Sequence, residues 1–189
     1  MLYVCRWKFY SIILMTFEEK IHENLYQYLL SQNEIDTRFP DAIDIEDKWP
    51  SIGQSYMVDG IREFRDYPTV SLGWMMYVGM AVAKFWDEEW EIYGNLEDLY
   101  LYLRDKEGFD SMDEYIRRDV LQLHTPDYDT TEALVQSCAE MAYSTLRHEN
   151  IEPGTQQAFE AYVACLHQLY LMGAAVQLYR MGYKMQALG

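Results

Sequence analysis

Glu19 and His22 stand three residues apart in Glu19-Lys20-Ile21-His22. On a helix that spacing turns a carboxylate and an imidazole to one face, where both can ligate one metal ion. Two-metal helical bundles need two such pairs and two further glutamates. The remaining histidines, His124, His148 and His167, are preceded three positions earlier by Leu121, Thr145 and Ala164, so the pair occurs once. Glu140, Glu160 and His167 are the residues that could complete a smaller site. The plainer reading is that Glu19 closes a capping box with Thr16 (Thr16-Phe17-Glu18-Glu19) and that His22 is a surface residue.

The second group is Lys84-Phe85-Trp86-Asp87-Glu88-Glu89-Trp90-Glu91. On one continuous helix Trp86 and Trp90 face the same way, as do Asp87 and Glu91. A like-charged pair four residues apart costs a few tenths of a kcal/mol, and Lys84 beside Glu88 offsets part of it. Two indoles flanking four acids would suit a basic protein partner. The competing reading is a solvated acidic face backed by two core tryptophans.

The remaining reactive residues promise little. Cys5, Cys138 and Cys165 are odd in number and lack metal-ligand spacing, which argues against a disulfide framework or a zinc site and suits a reducing cytoplasm. His167 lies at apolar helical spacing with Val163 and Tyr170, and Cys165 falls on another face of that helix. Phosphate-binding glycine loops, nucleophile elbows, zinc-protease helices and calcium loops are all absent from the sequence. No cofactor is predicted. The tyrosines Tyr93, Tyr100, Tyr102, Tyr162, Tyr170, Tyr179 and Tyr183 read as rim residues with their hydroxyls in water, or else as an interface.

The elements that would position these groups are helices throughout. Phe17, Ile21, Leu25, Tyr28 and Leu29 recur at helical spacing, and this first helix is expected to end near Gln32-Asn33. Residues 33–53 are irregular and proline-bearing, with one short helix expected near Pro40 to Asp47. A helix over Gln54–Asp66 should stop at Tyr67-Pro68. A long one over 69–93 follows, apolar all round in its first half, and Gly94-Asn95 should end it, with Asn95 capping the next helix. Shorter helices are expected over 96–106, after a Ser111-x-x-Glu114 capping box, and from Asp129 to Glu149. The last helix, 155–187, carries no formal charge between Glu160 and Arg180. The predicted architecture is all-α, a six- or seven-helix bundle around 69–93 and 155–187.

Size and charge bound the function. The 189 residues fit a single domain over 16–189, preceded by a segment of uncertain status at 1–15. That segment has a basic start and a short apolar run but no cleavage pattern. It reads as an export signal, as a cytoplasmic extension, or as sequence upstream of a true start at Met15. The net charge of −16 disfavours nucleic acid and anionic membrane surfaces and favours basic partners. It also simply aids solubility. The uncharged stretches 67–83 and 161–179 read as buried core helices rather than membrane spans, because polar residues interrupt them and basic flanks are missing.

The leading expectation is therefore a non-enzymatic, cytoplasmic protein that binds a basic protein through its acidic mid-section, roughly 87–119. Toxin-neutralising proteins and mimics of nucleic-acid charge are of this type. Two alternatives stand beside it: a carboxylate and histidine metal-binding protein or metal enzyme built on Glu19 and His22, and a structural homo-oligomer, such as a homodimer, joined through the charge-free last helix.

Overall fold

The computed structural model of the chain describes residues 15–36 and 43–183, and these form one all-helical bundle. In chain order the elements are α1 (Phe17–Ser31), α2 (Ile43–Glu46), α3 (Trp49–Asp66), α4 (Pro68–Glu88), α5 (Trp90–Asn95), α6 (Leu99–Glu107), α7 (Met112–Tyr115), α8 (Asp127–His148) and α9 (Gln156–Arg180). A short 3₁₀ turn precedes α7, and a π-helical turn, Ile116–Val120, follows it. The segment 1–14 and the end of the expected last helix, 184–187, lie outside the described residues.

The expected central pair is present. Ser71 to Ala83 of α4 is buried without interruption, and α9 is buried from Met172 to Leu178. The two helices run side by side in the same direction. The Ser71 hydroxyl lies 2.7 Å from the Tyr162 hydroxyl at one end, and Tyr183 donates a hydrogen bond to Asp87 at the other. Between these ends the backbones touch. A Cβ added to Gly79 would lie 2.0 Å from the Tyr170 carbonyl oxygen, and one added to Gly173 would lie 2.0 Å from that of Met76. Each helix therefore contributes a glycine at the point where the other helix's backbone needs the space.

Around this pair α1 runs parallel to α9, while α3 and α8 run the opposite way. Lys20 pairs with Glu149 and Asn24 with Thr145, which sets α1 antiparallel to α8. Tyr56 donates to the Ser71 carbonyl and the Ser71 hydroxyl to that of Gly60, which folds α3 back onto α4. The charge-free part of α9 is thus interior. It is the one helix among the described residues long and apolar enough to cross a membrane, and 78% of its most apolar window is buried, as in the core helix of a bundle.

Several boundaries differ from expectation. The 69–93 helix breaks at Glu89, whose φ of −128° and ψ of 54° leave the helical region, so α4 ends at Glu88 and α5 begins at Trp90. Asn95 does not cap the next helix. Asp98 does, accepting from the Leu101 amide at 3.0 Å. The Ser111 side chain makes no capping bond, and a π turn replaces the expected helix to Leu123. The third helix begins at Trp49, because Pro50 sits in its first turn, where a missing N–H costs nothing. Likewise α8 begins at Asp127 rather than Asp129, directly after Pro126.

The last helix stops at Arg180. Gly182, with φ of +86°, lets its own amide reach the Tyr179 carbonyl and the Tyr183 amide reach that of Leu178. That is the Schellman arrangement, which favours glycine because its backbone is left-handed there. Asn33, with φ of 57°, ends α1 in the same way, where the sequence places the stop.

Candidate functional site

The break at Glu89 shapes the acidic corner. Tyr93 is buried: its hydroxyl donates to the Asp44 carbonyl, and its ring lies 4.8 Å beneath the Lys48 ammonium. Lys48 also donates to the Leu96 carbonyl at 3.2 Å. These contacts draw α5 across the bundle toward α2, and a straight continuation of α4 would not make them. Trp86 and Trp90 consequently part company. Trp86 packs against the core, edge-on to Tyr183 with ring centroids 5.6 Å apart. Trp90 is 60% exposed, tilted over Tyr93 at 5.2 Å.

Residues 87 to 91 are all exposed. Asp87 accepts from Tyr183, and Glu88 pairs with Lys84. Glu89 and Glu91, on either side of Trp90, make no ion pair among the described residues. Farther along the acidic mid-section, Asp105, Glu107, Asp113 and Asp119 are neutralised by arginines of the molecule, while Glu97, Asp110 and Glu114 are exposed and have no ion pair among the described residues. Arg104 pairs with Asp59 and Asp105, Arg118 with Glu107 and Asp119, and Arg117 with Asp113 and Glu132. Free negative charge beside an exposed aromatic is thus concentrated at 87–91 rather than spread over 87–119.

Glu19 and His22 are engaged elsewhere. The Glu19 carboxylate accepts from the Thr16 amide at 2.7 Å, and its own amide donates to the Thr16 hydroxyl at 3.2 Å, the capping box expected from sequence. His22 Nδ1 lies 2.9 Å from Gln168 Oε1. Glu18, not Glu19, reaches α9, accepting from Gln168 at 2.9 Å and lying 3.1 Å from His167 Nδ1. Trp49 stacks on the His167 ring at 4.8 Å. The result is a polar clasp between α1 and α9. Glu140 and Glu160 accept from glutamines of their own helices. Among the described residues no three of His, Cys, Asp and Glu come together as a metal site would require.

Comparison with protein-family models, curated proteins and solved structures yields no match.

The tyrosines depart from the rim expectation. Tyr100 and Tyr170 are fully buried, their hydroxyls donating to Asp59 at 2.6 Å and to the Ile45 carbonyl at 2.7 Å, and Tyr162 is buried against Ser71. Tyr179 and Tyr183 do keep a partly exposed position. Burial pushes the Cys138 and Cys165 thiols up to about 12 and raises Tyr56, Tyr77, Tyr100, Tyr162 and Tyr170 well above the ordinary phenol value. These thiols and phenols stay protonated at neutral pH, so neither cysteine is poised as a thiolate nucleophile.

Two polar residues buried in the bundle are conspicuous. Arg117 is almost fully buried between the rings of Tyr77 and Tyr128, its guanidinium carbon 5.3 and 4.3 Å from their centroids. It is held by Asp113 at 2.7 Å and Glu132 at 3.2 Å, and so ties the π turn to α4 and α8. Gln177 is only 7% exposed, yet its carboxamide makes no hydrogen bond. The sequence marks Gln177, with His167 and Gln168, as a polar residue that must face an interior, but nothing local to Arg117 signals its burial.

Proposed function

We propose that this chain is a non-enzymatic binding protein whose acidic corner at Asp87–Glu91 receives a basic protein partner, with Trp90 as the anchor. The observation that carries the reading is the exposed indole between two unpaired carboxylates, Glu89 and Glu91. An exposed Trp supplies a large apolar contact, and aromatic anchors dominate the energetics of interfaces. Unpaired carboxylates beside it steer a cationic partner and are not already neutralised by the molecule's own arginines. The net charge of −16 adds a long-range field of the same sign.

The test uses a fluorescein-labelled Lys/Arg-rich peptide as probe, titrated at low and physiological salt. Binding should weaken with salt and fall about tenfold in Trp90→Ala, roughly 1.4 kcal/mol. It should fall further when Glu89→Gln and Glu91→Gln are added. Equal binding by the wild type and the triple variant would reject this corner as the site.

A further inference from the structure

A groove of about 720 Å³ opens at the end of the bundle where α1, α4 and α9 finish and α8 begins. Its walls include Glu34, Lys84, Asp127, Thr131, Gln177 and Arg180. The size falls within the range of small-molecule sites. Gln177 sits in this wall with more than nine-tenths of its surface buried, and neither its amide nitrogen nor its carbonyl oxygen has a hydrogen-bond partner. The carboxamide is not sealed off as an unsatisfied buried group, so its polar atoms reach the groove, where a ligand can meet them.

The neighbouring cations are pre-oriented with donors in reserve. Arg180 donates from Nε to Glu34 at 2.9 Å and from Nη1 to the Thr131 hydroxyl at 2.8 Å, which leaves Nη2 unused. Lys84 pairs with Glu88 through one of its three N–H groups. Gln177 and Arg180, three apart on α9, share a face. The acids are equally placed: Asp127 has no ion pair and stands in the first turn of α8, while Glu34 follows the end of α1.

We propose that this groove binds a small zwitterion of the α-amino-acid class. The ligand carboxylate would take the free donors of Gln177, Arg180 and Lys84, and its ammonium would face Asp127 and Glu34. The charges on the wall come in both signs and nearly balance. A simple anion would meet Asp127, which has no ion pair among the described residues, and the Glu34 carboxylate already shared with Arg180, and a simple cation would meet Lys84 and Arg180. A ligand carrying both charges satisfies the wall. This site is separate from the Trp90 corner and does not depend on it.

The test is a melting and saturation-transfer NMR screen of the full chain with each of the twenty standard amino acids at 10 mM. At least one should raise Tm by about 2 °C or more and receive saturation from the protein, as a ligand that binds only the folded state must. For that amino acid, Gln177→Leu should raise the dissociation constant at least tenfold while the variant keeps the wild-type helicity. Lys84→Met should weaken binding too, and serves if the Leu variant misfolds. The matching amine without its carboxylate, and the matching acid without its ammonium, should each bind at least tenfold more weakly. The proposal fails if no amino acid registers, if both variants bind as the wild type does, or if either half-ligand binds equally well.

Discussion

Trp86 and Trp90 occupy equivalent places in the sequence and opposite places in the molecule. The Trp86 ring packs between the core and Tyr183, whereas the Trp90 ring stands mostly in water. Truncating a partly buried indole removes apolar contact and leaves a gap, so Trp86→Ala is expected to cost about 2 kcal/mol. In a chain of this length that corresponds to a Tm lower by about 4–8 °C. Trp90→Ala should stay within about 0.5 kcal/mol of wild type, as surface substitutions do. Thermal melts of the two variants decide the matter, and equal losses would mean that Trp90 belongs to the core. Glu19 gives a similar lesson. Its spacing to His22 fits metal ligation, but its carboxylate is already held by the Thr16 amide.

Helices in this bundle are placed by a few contacts of high consequence. Gly79 and Gly173 bring α4 and α9 to backbone contact, and a methyl group at either position would overlap a carbonyl oxygen of the other helix. Gly79→Ala and Gly173→Ala are each expected to destabilise by about 3 kcal/mol, even though alanine is the better helix former, because the helices must separate along their most buried stretch. Urea titration followed by circular dichroism would measure it. A neutral result would show that the two backbones do not touch. The π turn at Ile116–Val120 is a second such device. It delivers Arg117 between Tyr77 and Tyr128, where Asp113 and Glu132 flank it.

For the whole molecule the buried phenols and thiols set the response to alkali. In the unfolded chain cysteine and tyrosine ionise near 9.0 and 10.0, but in the bundle Cys138 and Cys165 hold their protons to about 12 and the buried tyrosines hold theirs beyond their usual range. Above pH 9 the unfolded state therefore binds fewer protons than the folded state, and stability must fall as pH rises. Each such group contributes a slope of about 1.4 kcal/mol per pH unit. Several together outweigh a typical total stability of about 5–15 kcal/mol within one or two units. Exposed tyrosines such as Tyr67 and Tyr179 titrate gradually, but between pH 10 and 12 the absorbance of the buried ones should appear in one cooperative step together with loss of helicity. Full tyrosinate absorbance with helicity intact would contradict the burial of these rings. Below pH 9 this contribution is fully retained.

Helix content, the central pair and the starts of α1, α4, α7 and α9 were legible in the sequence because they depend on local chemistry. Apolar spacing marks a buried face, Thr16 with Glu19 closes a capping box, Pro68 opens a helix and Asn33 ends one. Gly182 was equally local and marks the true end of α9. What the tertiary structure alone decided involves residues far apart in the chain. The break at Glu89 contains no proline or glycine and exists because Tyr93 and Lys48 hold α5 over α2. The close approach of α4 and α9 depends on glycines 94 positions apart. Glu18 rather than Glu19 reaches His167, because α1 lies parallel to α9. The groove around Gln177 forms only where four helix ends meet. Spacing along one chain encodes which face of a helix is buried, but not which distant backbone, hydroxyl or carboxylate will lie against it.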